Sequence, residues 1–161
     1  MTDQESTAEV TTPTFSLQKL YIKDISFENP NAPEIFTIPG SQPKIEINLA
    51  VEHKQIDGEH WEVSLKISAK SNDSESDKLL FEIEVEQAAV FFISNIAEEH
   101  MPLLLSVDCP TIIFPYTRQI ISQLTIDGGF MPLLMEPVNF RAIFEQSLAQ
   151  ANEQESEQVV H

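Results

Sequence analysis

Between residues 14 and 94, apolar and polar side chains alternate in short runs, the period-2 signature of strands with one face buried. The clearest run sets Ile45, Ile47, Leu49 and Val51 against Glu46, Asn48, Ala50 and Glu52. Asp57-Gly58 then supplies a hairpin turn. The return strand carries Trp61, Val63, Leu65, Ile67 and Ala69 on one face and Glu62, Ser64, Lys66 and Ser68 on the other. After a polar loop over 71–77, Leu79, Phe81, Ile83 and Val85 face one way and Glu82, Glu84 and Glu86 the other. The first run is less regular. Phe15 and Leu17 share one parity, Leu20 and Ile22 take the other, and Ile25 and Phe27 return to the first. A β-bulge inside one strand produces such a switch, as does a strand buried on both faces, so one bulged strand and two strands both fit. Residues 29–33 (NPNAP) end the run with turn chemistry, and 35–38 read as a short extension.

The period changes in the second half. Residues 87–96 are apolar and either prolong the last strand or cross to the helices, and 97–106 has helical composition interrupted by Pro102. Asp108 reads as a helix N-cap with Pro110 in the first turn. Ile113, Tyr116, Ile120 and Leu124, joined by Ile121, form a helical apolar stripe; Pro115 predicts a kink or a delayed start, and Gly128 is placed to end the helix at C′. Residues 128–140, GGFMPLLMEPVNF, are apolar yet hold two glycines and two prolines, so they form a loop. Such a loop either plugs the core or, exposed, marks a binding surface. Pro137 can start a last helix with Phe140, Ile143, Phe144 and Leu148 on one side, and from Gln150 the chain is a polar, acidic tail expected to fray. Strands first and helices second is an α+β layout. The expected organisation is a disordered tail over 1–13, one domain over 14–149 and a flexible tail over 150–161.

Charge narrows the partners. A formal charge of −17 over 161 residues argues against nucleic acid and against anionic membrane surfaces. One cysteine, Cys109, allows no internal disulfide; the N-terminus lacks the pattern of a signal peptide, and no apolar run reaches the ~18 residues of a membrane span. A cytoplasmic protein is expected. Nothing points to catalysis: neither GxxxxGK[ST] nor GxGxxG occurs, His53 and His60 flank a turn without further ligands, and no activating signature surrounds a Cys109–His100 pair. No enzyme activity, cofactor or metal is expected. Strand parity instead gathers Asp24, Glu28, Glu82, Glu84 and Glu86 on one sheet face, which either keeps the protein soluble and its edges unpaired or docks a basic partner. The helical stripe, the 128–140 loop and the last helix carry more apolar surface than one face of a four-stranded sheet covers. That surplus predicts self-association, a groove, or both, and flexible Met131 and Met135 suit a groove of varied occupants.

The segments YIKDISFENPNAP (21–33), VEQAAVF (85–91), CPTIIFPYTRQII (109–121) and GGFMPLLMEPVNF followed by FEQSL resemble, in order, the protein-export chaperone family SecB. The resemblance implies a four-stranded, mostly antiparallel sheet with two main helices packed on one side, assembled as a homotetramer, a dimer of dimers. It implies a chaperone that holds unfolded precursor polypeptides without ATP and delivers them to the SecA motor ATPase, with no direct membrane insertion. Phe130, Met131, Leu133, Leu134, Met135 and Phe140 would then line the client groove. Ile113, Tyr116, Ile120, Ile121 and Leu124 would serve helix packing and assembly. The SecA-docking face falls on Asp24, Glu28 and Glu84, with Glu82 and Glu86 beside them, and the family's second SecA contact, the C-terminal tail, stays open because this tail is acidic. Two other readings remain at this stage: an α+β domain that binds a small apolar ligand, and a SecB-like chaperone dedicated to one partner.

Overall fold

The computed structural model describes residues 12–39 and 42–159. Most of the tail expected over 1–13 lies outside that range. Four antiparallel strands, β1 (Thr14–Glu28), β2 (Pro43–Gln55), β3 (His60–Asp73) and β4 (Leu79–Ser94), form one sheet in the order β1-β4-β3-β2. The apolar segment 87–96 therefore prolongs β4 nearly to its end. Of residues 35–38, read above as a short extension, the first three lie in a 3-10 turn over Glu34–Thr37 that buries Ile35 and leaves Phe36 exposed.

β1 is one strand with two register shifts, between Leu17 and Lys19 and between Ile22 and Asp24. The unpaired Gln18 and Lys23 each absorb one residue of parity. Phe15, Leu17, Leu20, Ile22, Ile25 and Phe27 consequently stand opposite Ile93, Phe91, Ala89, Gln87, Val85 and Ile83, all on one face. Cross-strand partners share a face, so the apparent switch in the sequence keeps every apolar residue of β1 on the inner side. On the outer side Tyr21 lies opposite Ala88, whose small side chain leaves room for the ring. Tyr21 donates a hydrogen bond to Glu62 Oε2, while Lys23 Nζ lies 3.1 Å and Lys54 Nζ 3.8 Å from Glu62 Oε1. Burial, and then the bond to Glu62, pushes the Tyr21 phenol up to about 12. The Tyr21 hydrogen bond, helped by the lysines and opposed by burial, holds the Glu62 carboxyl below its usual range.

A continuous helical rod packs on the inner face. It starts with a 3-10 turn at Glu98–His100 and α1 (Met101–Leu103), widens into a π turn over Leu104–Asp108, and continues as α2 (Cys109–Asp127). Asp108 is therefore not an N-cap: its φ of −69° and ψ of −45° are helical and its side chain caps nothing. Pro110 has no N–H and its ring crowds the preceding turn; the π turn, in which the Cys109 N–H reaches Leu104 O, accommodates it without ending the helix. The buried face of α2 is Cys109, Pro110, Ile113, Phe114, Thr117, Ile121 and Thr125. The stripe expected from the sequence is thus rotated: Ile113 and Ile121 are wholly buried, Ile120 and Leu124 flank the contact, and Tyr116 is exposed. At the centre, Thr117 Oγ1 donates to Gln87 Oε1 at 2.6 Å, both residues buried.

At the end of α2 the left-handed residue is Gly129 (φ +87°), not Gly128. Phe130 N bonds Thr125 O at 3.0 Å and Gly129 N bonds Ile126 O at 3.0 Å, the paired bonds of a Schellman ending. Gly128 is needed for space, because a Cβ there would overlap the Phe27 ring. The last helix, α3 (Phe140–Gln158), starts after Asn139 rather than at Pro137, with Asn139 Oδ1 accepting from Ala142 N at 3.0 Å. It runs past Gln150, where a fraying tail was expected, and is exposed from Glu145 on.

Two expectations follow. Thr117→Val strands the buried Gln87 amide oxygen and should lower unfolding free energy by about 1–3 kcal/mol, read as a lower denaturant midpoint at unchanged slope. Tyr21→Phe should cost about 1 kcal/mol at neutral pH. Because the folded Glu62 carboxyl is depressed, its contribution is present above the ordinary carboxylate range and lost as pH falls through the folded value. The Tyr21→Phe deficit, followed by denaturant titration at pH 7 and pH 3, should therefore shrink in acid.

Candidate functional site

The loop after α2 is pinned at several points. Thr125, with no exposed surface, donates through Oγ1 to Ser122 O at 2.7 Å and accepts from Leu133 N at 2.9 Å. Asn29 Nδ2 donates to Gly128 O at 3.3 Å. Phe130 packs against Phe36 and Phe81, with ring centroids 5.4 and 5.0 Å away, and Phe81 continues to Phe27 at 6.1 Å. Farther on, Met135 and Phe140 enter the core at 7 % and 3 % exposure, and Phe140 meets Phe114 edge-on. Between these anchors Met131 is 86 % exposed and Leu134 75 %. The loop is thus a plug and a display at once. Of the six residues expected to line a groove, Met135 and Phe140 are core residues, Phe130 and Leu133 are half-buried, and Met131 and Leu134 face outward.

Beside the loop opens a cleft of about 290 Å³, lined among others by Pro43, Ile45, Leu80, Phe81, Phe130 and Met131. Half-exposed Phe36 stands on Phe130. The sequence reading missed the contribution of Phe36 and of β2; the signal was an apolar pair, Ile35-Phe36, held between Pro33 and Pro39. The cleft continues a broader pattern. α2 packs on β3 and β4, so inner-face residues of the two edge strands stay exposed: Leu17, Ile22 and Ile25 on β1, Ile45 and Ile47 on β2.

The opposite face is acidic. Register sets Asp24 opposite Glu86, Ser26 opposite Glu84 and Glu28 opposite Glu82, bringing all five carboxylates of the expected docking set onto neighbouring strands. On the β3 side Lys66 stands opposite Glu86 and Lys70 opposite Glu82, whereas Glu84 faces Ser68. Glu82 and Glu86 are half-buried with a lysine beside them; Asp24, Glu28 and Glu84 are exposed. None of the five forms an ion pair among the described residues.

Other candidate chemistry does not assemble. Cys109 is fully buried, and burial, with the Asp108 charge adding, pushes its thiol up to about 12, the wrong direction for a nucleophile. His60 Nδ1 lies 2.8 Å from Asp57 Oδ1 in the β2–β3 turn and His53 packs near Trp61. Among the described residues no group of three or more His, Cys, Asp and Glu could hold a metal ion, and no helix is long and apolar enough to cross a membrane.

Residues 8–151 match the family described as preprotein translocase subunit SecB. The chain is 54 % identical over 142 residues to the protein-export protein SecB of Desulfotalea psychrophila, covering 88 % of this chain and 91 % of that one. It is 42 % identical over 157 residues to that of Magnetococcus marinus, covering 98 % and 99 %. A SecB-like chaperone of Mycobacterium tuberculosis, solved with an antitoxin peptide, shares the fold at a TM-score of 0.65 and 14 % identity over 77 % of this chain and 90 % of that one. With its bulged four-stranded sheet, its helical rod and its displayed apolar loop, the chain belongs to the SecB family of protein-export chaperones.

Proposed function

We propose that this protein is an ATP-independent holdase of the cytoplasm that keeps precursor polypeptides unfolded and hands them to SecA. The observation that carries the reading is the display of Met131 and Leu134 on a loop fixed by Thr125, Met135 and Phe140, beside an apolar cleft. A surface both apolar and rigid loses little entropy when an extended chain settles on it. Separate weak contacts along one client raise the effective concentration at the next. Such contacts select for exposed apolar side chains rather than for one sequence, as a holdase needs.

The client surface in this reading comprises Phe130, Met131, Leu133 and Leu134, with Phe36 and Ile45 added; Met135 and Phe140 hold it in place. Assembly into a homotetramer, a dimer of dimers, would cover part of the apolar edge of β1 and the outer flank of α2, where Tyr116, Ile120 and Leu124 lie. SecA would dock on the acidic face. Asp24, Glu28 and Glu84 are its strongest contacts in this proposal, because Glu82 and Glu86 already have lysines opposite them.

Light scattering should give a tetramer's mass, and the protein should suppress aggregation of a slowly folding reduced precursor without nucleotide. A monomer that leaves aggregation unchanged overturns the holdase reading. In the same assay Met131→Ser with Leu134→Ser should weaken client affinity roughly tenfold, the scale of losing part of two apolar side-chain contacts, with oligomer mass unchanged. Charge reversal at Asp24, Glu28 and Glu84 should weaken SecA binding by about tenfold or more at low salt and leave client binding intact. Equal loss of both activities would show that the docking face lies elsewhere.

A further inference from the structure

Six of the seven lysines in the sequence, Lys19, Lys23, Lys44, Lys54, Lys66 and Lys70, fall on the outer, acidic face of the sheet by register or, for Lys23, by its contact with Glu62. Both arginines lie on helices. Four of the six lysines stand on the edge strands β1 and β2, where lysine discourages edge-to-edge pairing. Lys66 and Lys70 have no such role. They stand on the central strand β3, are exposed, and form no ion pair among the described residues. Register makes them a boundary. Lys66 lies between Glu86 of β4 and Ala50 of β2, and Lys70 between Glu82 of β4 and Glu46 of β2. On one side are the five carboxylates of β1 and β4, and on the other Glu46 and Glu52 of β2.

Without these two lysines the carboxylates would run across the whole sheet, and any polycation could settle there in any orientation. With them the acidic part is a strip one strand spacing wide, about 4.8 Å, and the two lysines stand roughly 13 Å apart along its border. Unfolded polypeptides carry basic segments of their own, and a client held on the docking face would block the partner meant to receive it. We infer that Lys66 and Lys70 are specificity-determining residues of the docking face. They repel basic segments that spread across the sheet and admit a partner whose cations lie in one line along β1 and β4, with a neutral or acidic flank over β3. The inference rests on the reading of this face as the SecA dock and adds the charge pattern the partner must present. Lysines opposite Glu82 and Glu86 also relieve repulsion among the carboxylates. That role alters stability and not the choice between two ligands.

The test measures the affinity of the full chain for SecA and for a labelled oligolysine peptide, at low and high salt. Lys66→Gln with Lys70→Gln should tighten oligolysine binding roughly tenfold at low salt, about threefold for each exposed charge, and leave SecA binding unchanged or weaker. High salt should erase the gain. Lys44→Gln with Arg141→Gln makes the same change in net charge away from the strip, on β2 and α3, and should alter neither affinity. Oligolysine binding that ignores Lys66→Gln with Lys70→Gln, or rises equally in the Lys44 and Arg141 variant, overturns the inference while the dock stands. An equal gain for SecA and oligolysine also overturns it, since selectivity is then unmoved. SecA binding that survives charge reversal at Asp24, Glu28 and Glu84 overturns the docking reading itself, and the role of the two lysines with it.

Discussion

A single helix is too narrow for the sheet it covers. The outer strands of a four-stranded sheet lie roughly 15 Å apart, whereas an α-helix with its side chains is about 10–12 Å across. α2 settles over β3 and β4, where Val63, Leu65, Ile67, Ile83, Val85 and Phe91 are buried under it. Thr117 and Gln87 fix its position with a buried hydrogen bond that is costly to break and has no equivalent at another register. Most other features of the molecule follow from the two strands left over. The inner faces of β1 and β2 remain apolar and only partly covered, and a chain that kept them so without use would aggregate.

The two bulges of β1 belong to the same constraint. Without Gln18 and Lys23 out of register, Leu20 and Ile22 would turn to the acidic side and the apolar edge would be broken in two. The bulges keep the inner face of β1 continuous and leave Asp24, Ser26 and Glu28 facing outward in line with Glu86, Glu84 and Glu82. One strand thus serves both surfaces. At its end Phe27 fills the space that Gly128 leaves open, and Asn29 binds Gly128 O, so the strand bearing the acidic edge also supports the base of the displayed loop.

Much of this was legible in the sequence because a strand's period of two is simple. Parity alone separates the acidic from the apolar face, but the parity switch in β1 fits one bulged strand and two strands alike, and only the pairing with β4 shows one strand with two bulges. The helix was harder. Counting Tyr116 as apolar and Thr117 and Thr125 as polar rotates the stripe away from the buried face, since both threonines bury their hydroxyls in hydrogen bonds that no hydropathy pattern records. Pro110 looked like the start of a helix because a proline there is common; only the wider turn before it shows that the helix runs through. The loop was the hardest case. A segment without a period gives no way to tell Met135 from Met131, though one is 7 % and the other 86 % exposed. What separates them is the fit of Phe140 against Phe114, far away in sequence, and of Leu133 N to Thr125, eight residues back across the helix end, neither of which follows from a local pattern.

In the proposed holdase, that division inside the loop is also what would make a sequence-tolerant surface workable. A flexible apolar loop would collapse onto the nearest exposed hydrophobic surface, and both uncovered strand faces are close by. Fixing the loop by a Schellman ending, a buried threonine and two core side chains prevents such collapse, so the cost of keeping Met131 and Leu134 in water is met by folding. In that reading the exposed pair offers Met and Leu side chains, neither branched at Cβ, which adjust their rotamers to different partners while the backbone beneath them stays still. In this proposal, tolerance of sequence comes from the tips and strength of holding from the anchors. The two properties can coexist only because different residues of one thirteen-residue segment carry them.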